Sequence, residues 1–311
     1  MGKKLWLFYA LTTALLWGVW GAFIEIPEKA GFPATLGYSV WALTMIPGGI
    51  FALIKLKGQL DTDRRSVFLG LGAGLLGCGG QLILFEALRI GPAYLIFPFI
   101  SIAPVSTIIL SYIFLKERAR RVAWYGIGAA VIAVFLLSYQ PPGHSVVSGY
   151  LWILLSLLVA FMWSMQSFTL KFSNNLMRAE SLVIYTVIAS LLLIPVAILM
   201  TDFSQDINWS FEGPGLTAII QFLNAIGFIT LVFAFRYGKA IFVSPMVNAM
   251  PPVITVVLSL ILYQVIPHPI TISGMVLAVL AAFLMALEPD ETTAQNSDKI
   301  NSSKLIPNSE E

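Results

Sequence analysis

Charged side chains inside long apolar runs are the first candidates for chemistry, because burying an ionised group in hydrocarbon is costly. Glu86 and Arg89 are three residues apart at the end of one such run, so on a helix they share a face. They form either an ion pair that fixes the end of the helix or a charged gate that meets a substrate. Glu25, which ends the first apolar run, is a further candidate for gating or coupling.

Uncharged polar and aromatic side chains near the middle of the apolar runs are candidates for substrate binding. At about 1.5 Å per helical residue, they lie well away from both membrane surfaces. They either bind a small polar molecule or bridge neighbouring helices. The predicted substrate-binding residues are Trp17, Gln81, Tyr94, Ser101, Trp163, Gln166, Asn224 and Asn248. Tryptophans expected to be anchors at the membrane interface are Trp6, Trp124, Trp152 and Trp209.

Residues typical of catalytic and metal sites are scarce. The chain has one cysteine, Cys78, and two histidines, His144 and His268, which both lie near prolines in predicted loops. These residues provide neither a disulfide framework nor a Cys/His metal site, so we predict no metal and no cofactor. All aspartates lie in loops or the tail, which argues against a membrane-embedded enzyme. No ring of charges or filter loop indicates a channel.

Ten apolar runs are long enough to be transmembrane helices, since about 20 residues cross a hydrocarbon core of about 30 Å. The 311-residue chain is 58% hydrophobic and only 11% charged, whereas soluble domains carry about 25% charged residues. Residues 289–311 are polar and are expected to form a disordered cytoplasmic tail. The predicted helices are 5–26, 35–56, 66–90, 92–115, 121–140, 148–171, 179–201, 214–237, 240–264 and 269–288.

The positions of lysine and arginine predict the orientation of these helices, because both residues accumulate on the cytoplasmic side. With ten helices and a cytoplasmic N-terminus, sixteen of the eighteen lysines and arginines lie inside. The two exceptions are Lys29 and Arg89. We therefore predict that both termini are cytoplasmic, with the chain in the inner (plasma) membrane of a bacterium.

A stretch of the chain occurs twice, at 85–105 and at 233–252, with the offset of 147 residues that separates Arg89 from Arg236. Prolines follow at matched positions in both copies, and such helix interruptions mark binding sites in transporters built from repeats. Ser101 and Asn248 correspond at this offset, so we expect both near the middle of the membrane. Five helices per half is an odd number, which inverts the second half relative to the first. The predicted halves are 5–140 and 148–288.

The sequence thus predicts an all-α integral membrane protein with ten transmembrane helices, arranged as two inverted five-helix repeats. It resembles the EamA-like family of the drug/metabolite transporter superfamily. The residues that carry the resemblance are LLWGVWGAF at 15–23, EALRIGPA at 86–93, FLKER at 114–118, AFRYGKA at 234–240 and VSPMVNAMPPV at 243–253. One departure is that Glu117, in the Leu-x-Glu pattern of the first half, corresponds to Gln264 in the second.

The resemblance implies a carrier of small metabolites. We expect a secondary transporter, an exporter or exchanger of small polar molecules such as amino acids, working by alternating access around a cavity at the midplane. A sugar uptake carrier of the same fold is the alternative, because deep tryptophans can stack on sugar rings; a membrane-embedded enzyme is the less favoured one. The expected partners are the substrate and the lipid bilayer, without nucleic acid, and a homodimer is left open.

Overall fold

The computed structural model describes residues 4–91, 96, 99–100, 102–139, 150–263 and 268–287. All regular elements in these ranges are helical, and no strand occurs there. The helices are α1 (Leu5–Phe23), α2 (Glu25–Lys29), α3 (Ala34–Thr44), α4 (Ile46–Lys55), α5 (Arg64–Ile90), α6 (Ala103–Phe114), α7 (Arg121–Leu137), α8 (Leu151–Asn174), α9 (Ala179–Leu192), α10 (Ile194–Leu199), α11 (Leu216–Tyr237, preceded by a π-helical turn at Phe211–Gly215), α12 (Ala240–Tyr263) and α13 (Pro269–Ala286).

In the described residues, eight stretches of helix are long and apolar enough to cross a membrane, and two shorter apolar helices, α6 and α7, occur beside them. The predicted all-α membrane protein is therefore confirmed. Two of the predicted helices are each broken in two. The break falls at Met45 between α3 and α4, and at Leu193 between α9 and α10. A proline follows each break, Pro47 and Pro195, and proline lacks the N–H that would continue the helical hydrogen bonds.

The last described helix of each half packs along its counterpart, α7 against α13. A methyl group on Gly126 would lie 2.9 Å from Cβ of Leu284, and one on Gly274 would lie 2.9 Å from Cβ of Leu136. Leu136 and Leu284 are separated by the same 148 residues as the two glycines. Each helix therefore offers the other the same surface, which is the contact pattern of a twofold relation.

The first helix of each half packs along the third helix of the other half, α1 along α11 and α8 along α5. Trp6 lies against Gly238, and Trp152 lies against Gly91 at the corresponding position. Both tryptophans are buried, at 7% and 5% exposure, so the expectation that they are interfacial anchors is wrong. The two glycines admit the indole rings between helices, and the rings fill space inside the protein.

Candidate functional site

A set of hydrogen-bonded polar side chains lies between α1 and α11. Nε1 of Trp20 donates to Oε1 of Gln221 at 3.0 Å, and Nδ2 of Asn224 donates to the same oxygen at 3.3 Å. Nε1 of Trp17 donates to the carbonyl oxygen of Asn224 at 3.3 Å. We call Trp17, Trp20, Gln221 and Asn224 the amide–indole cluster.

Helical spacing explains how the cluster assembles. Trp17 and Trp20 are three residues apart on α1, and Gln221 and Asn224 are three apart on α11, so each pair shares one face of its helix. Gly227, one turn beyond Asn224, brings the two helices close, because a methyl group there would lie 2.5 Å from Cδ1 of Trp17. The cluster is held by both helix pairing and hydrogen bonds.

Trp20 and Gln221 are the two members of the cluster that are not among the predicted binding residues, and Gln221 is the more deeply buried of the two. It is buried, with 6% of its surface exposed, and its Nε2 also donates to the carbonyl oxygen of Gly37 on α3 at 3.4 Å. Its side chain therefore joins three helices. The signal that could have found it is its spacing from Asn224, which repeats the spacing of Trp17 from Trp20 on the facing helix.

The corresponding contact in the other half lies between α5 and α8. Nε1 of Trp163 donates to the carbonyl oxygen of Gly77 at 3.3 Å, and the amide of Gln166 lies against the same glycine. Gly77 is separated from Asn224 by 147 residues, and Gln166 is separated from Trp20 by 146. The same polar contact therefore occurs at both repeat-related positions. Its side-chain amides come from α11 in the contact of α1 with α11, and from α8 in the contact of α5 with α8.

Of the remaining predicted binding residues, Asn248 and Gln81 are described and do not join the amide–indole cluster. Asn248 is half-buried, and its Nδ2 donates to the carbonyl oxygen of Ser244 on its own helix at 2.7 Å. Gln81 lies half-buried on α5. Tyr94 and Ser101 lie outside the described residues, so the predicted meeting of Ser101 with Asn248 stays a prediction.

The charged candidates lie at the ends of their helices. Arg89 binds Glu86 in a two-pronged ion pair, with Nε to Oε2 at 2.8 Å and Nη2 to Oε1 at 2.6 Å. Glu25 pairs with Lys29 one turn along, with both side chains mostly exposed. The predicted Glu86–Arg89 ion pair is thus present, and a gating role for these residues is not tested by it.

Glu117 is a buried carboxylate at the opposite end of the molecule. Its Oε2 accepts the backbone N–H of Ile241 at 3.1 Å, in the first turn of α12, where free N–H groups favour a negative charge. Its other oxygen, Oε1, is buried without a hydrogen-bond partner among the described residues. Burial raises the pKa of Glu117, and the N–H of Ile241 and the charge of Lys171 oppose that rise.

A surface depression of about 510 Å³ lies away from the amide–indole cluster, along one face of α5 and the loop before it. The described residues also contain no group of three or more His, Cys, Asp or Glu side chains that could hold a metal ion. The depression is lined by Thr62, Arg64, Val67, Phe68, Leu71, Gly72 and Leu75.

Comparison with known proteins identifies the family. Residues 4–139 and 150–287 each match the EamA-like transporter family. The chain belongs to that family. It is therefore an integral membrane protein of the drug/metabolite transporter type, as the resemblance implied. An uncharacterised protein of Methanocaldococcus jannaschii is 35% identical over 101 residues, which cover 32% of this chain and 74% of that protein.

The fold of the EamA-like chain is also found in a solved crystal structure. The two chains share 18% sequence identity and superpose with a TM-score of 0.73, covering 94% of this chain and 98% of the other. At that identity the likeness shows the fold alone. Substrate and direction of transport have to be argued from the chain's own residues.

Proposed function

We propose that this EamA-like protein is a secondary transporter, an exporter or exchanger of small polar metabolites such as amino acids, which works by alternating access. The observation that carries the proposal is the amide–indole cluster. It places two amide side chains and two indole rings between helices of different halves, where substrate sites of repeat-built transporters lie. The amides and indole N–H groups of the cluster can supply the hydrogen bonds that a small polar substrate otherwise makes with water.

The distribution of charge favours a substrate without net charge. In the described spans, the side chains of Asp, Glu, Lys and Arg lie near helix ends, and the cluster itself is neutral. A fully ionised ligand would find no countercharge there, and its desolvation would be costly. Amides and indole N–H groups suit a zwitterion such as an amino acid, whose charges cancel, or a neutral polar molecule. Sugar transport is the second candidate, because indole rings beside amides also suit a sugar ring.

The proposed architecture has ten spans, with an inverted second half and both termini in the cytoplasm of a bacterial cell. It is supported by the sixteen inside lysines and arginines and by the reciprocal contacts of α7 with α13. The halves are taken as 5–140 and 148–288, followed by a cytoplasmic tail at 289–311. Cysteine at the exposed position Ser204 should react with an impermeant reagent in intact cells, and cysteine at exposed Lys57 should not. Labelling of Lys57→Cys from outside would overturn the topology.

A ligand panel tests the substrate class. Purified protein is heated with twenty amino acids and a matched set of mono- and disaccharides, and compounds that raise its Tm are then competed against one labelled amino acid in vesicles. A ligand that binds only the folded state raises Tm, and the rise grows with the logarithm of its concentration above Kd. We expect neutral amino acids to stabilise the protein and labelled neutral amino acid to be taken up. Stabilisation by sugars alone, with no uptake of the labelled amino acid, would select the sugar carrier, and stabilisation by ligands with a net charge alone would contradict the neutral site.

A further inference from the structure

Arg236 fastens the end of α11 to the end of α8. Its Nη1 donates to the carbonyl oxygen of Asn174 and, at 3.1 Å, to that of Met177. Asn174 is the last residue of α8 and Met177 lies in the turn after it, at the end where a helix leaves carbonyl groups unsatisfied and its dipole is negative. Nδ2 of Asn174 adds a bond of 2.9 Å to the carbonyl oxygen of Val232 on α11. The two helices are therefore closed against each other at this end.

Two further bonds close the same end of the molecule between the halves. The carboxylate of Glu117 accepts the N–H of Ile241 at 3.1 Å, and Nζ of Lys239 donates to the carbonyl oxygen of Arg118 at 2.8 Å. In the proposed topology this is the cytoplasmic end. The structure is thus a conformation that is shut towards the cytoplasm.

The counterpart of Arg236 in the first half is Arg89, which makes no such contact within the part of the chain that the structure describes. Offsets of 147 for the arginine and 146 for the carbonyls place the equivalent acceptors at Glu28 and Gly31, at the end of α2. Arg89 instead binds Glu86 on its own helix, and 69% of its side chain is exposed. The helices α1 and α5 also do not pack together to the extent that their counterparts α8 and α11 do. Among the described residues, the ends of α2 and α5 are therefore not joined as the ends of α8 and α11 are. The carbonyl oxygen of Gly31 accepts the N–H of Asn208 at 3.1 Å and keeps a second lone pair.

We infer that Arg89 is the outer gate residue of this transporter. In the conformation that faces the cytoplasm, Arg89 leaves Glu86 and donates to the carbonyl oxygens of Glu28 and Gly31, while Arg236 is released. The inference rests on the proposed alternating access, since the two halves must exchange conformations for the contact to form. Arginine suits the task because its five N–H donors are fixed in a planar fork that can hold two carbonyls at once.

Glu86 shifts the equilibrium between the two conformations towards the one that is shut towards the cytoplasm. It binds Arg89 away from the acceptors on α2, whereas the equivalent residue beside Arg236 is Phe233, which offers no charged acceptor. The conformation shut towards the cytoplasm is therefore favoured by a pair that the other half lacks. Removing the Glu86 charge favours the outer-closed state.

Distances between spin labels at repeat-related positions test the inference. One pair of labels replaces Lys29 and Ile90 at the outer end, and the equivalent pair replaces Asn175 and Tyr237 at the inner end. The full chain is measured in lipid nanodiscs, with the buried Cys78 replaced by alanine. In the parent protein we expect a short inner distance and a long outer one.

Variants of the two arginines then test whether Arg89 closes the outer end, independently of whether the protein changes conformation at all. We expect Arg236→Ala and Glu86→Gln to give the outer pair a new short distance that matches the inner pair of the parent. Adding Arg89→Ala to Arg236→Ala should lower the ratio of short to long outer distances roughly tenfold, because hydrogen bonds from a charged donor are lost. Arg89→Lys, which keeps the charge but not the fork, should recover part of the ratio, and this recovery distinguishes gating from misfolding.

Two different results would overturn the two levels of the argument. If the outer distance shortens equally with and without Arg89, the gate inference is wrong while alternating access stands. If no variant shortens the outer distance although each is folded by circular dichroism, the exchange of repeat conformations fails, and the proposed function fails with it.

Discussion

Replacing Gln221 with leucine is the sharpest perturbation of the amide–indole cluster. The side chain makes one bond to Trp20 on α1 at 3.0 Å and one to Gly37 on α3 at 3.4 Å, so two contacts between helices are lost. At about 0.6 kcal/mol for each such bond in a membrane, the direct loss is about 1.2 kcal/mol. Leaving the N–H of the half-buried Trp20 unpaired brings the total to roughly 1–3 kcal/mol.

The assay separates a structural role from a binding role. Thermal unfolding of the purified protein reports the stability, and competition for uptake in vesicles reports the apparent affinity. If the substrate binds Gln221, its apparent affinity should fall about five- to hundredfold in Gln221→Leu. This is the effect of leaving one polar group of the substrate unpaired, about 1–3 kcal/mol, at a factor of ten for each 1.4 kcal/mol. Trp20→Phe should cause a similar fall, and the double variant should lose less than the two single losses added together.

Gln205 provides the matched control for this substitution. It is exposed, and its Nε2 donates to Asp202 in the same exposed loop at 3.1 Å. Gln205→Leu should leave the affinity unchanged and alter the stability little. A Gln221→Leu protein that loses stability but binds its substrate with unchanged affinity would refute the assignment of the cluster as the binding site.

Three further predictions concern charged groups outside the cluster. Burial raises the pKa of Glu117 in the folded protein above its ordinary 4.5, so the stability that this group contributes falls as the pH rises from 4.5 through the raised pKa. Glu117→Gln should flatten the dependence of Tm on pH in this range, and an unchanged profile would contradict the prediction. Burial raises the pKa of Asp61, but stronger combined hydrogen bonds from Arg178 and Ser181 lower it below 3.8, so its stabilisation is present at neutral pH and lost in acid. Asp61→Asn should lower the free energy of unfolding by about 1 kcal/mol at neutral pH, because the ion pair is partly exposed. Thermal unfolding measures this loss, and an unchanged Tm would show that the ion pair does not stabilise the fold. Glu86→Gln should leave the pH dependence of exchange intact, and a flattened profile with exchange retained would show that Glu86 carries a proton.

The fold class could be predicted from the sequence because the composition and the length of the apolar runs are enough to determine it. Runs of about 20 apolar residues have few alternatives to a membrane helix, and eight stretches of sufficient length occur within the described ranges. The Glu86–Arg89 pair was also predictable, since a spacing of three on a helix brings two long side chains together. Local spacing, in short, predicts local contacts.

The neighbours of each helix could not be predicted in the same way. In a soluble protein an apolar stripe marks the buried face, but in a membrane protein lipid and protein both contact apolar residues. The position of a tryptophan in the sequence therefore does not distinguish the membrane interface from the protein interior. Trp6, Trp152 and Trp209 were all predicted to lie at the interface, yet Trp6 and Trp152 are buried while Trp209 is 63% exposed. Gln221 was overlooked for the same reason, because its partners Trp20 and Gly37 lie about 200 residues away in the chain.

Counterflow in proteoliposomes tests the central claim most directly. Vesicles that contain the purified protein are loaded with an unlabelled neutral amino acid and diluted into a trace of the labelled compound. An exchanger that alternates around one site should accumulate label transiently inside the vesicles, well above protein-free vesicles, and Gln221→Leu should reduce this overshoot. The absence of any overshoot with amino acids and with sugars, from protein that is folded and inserted, would contradict the account.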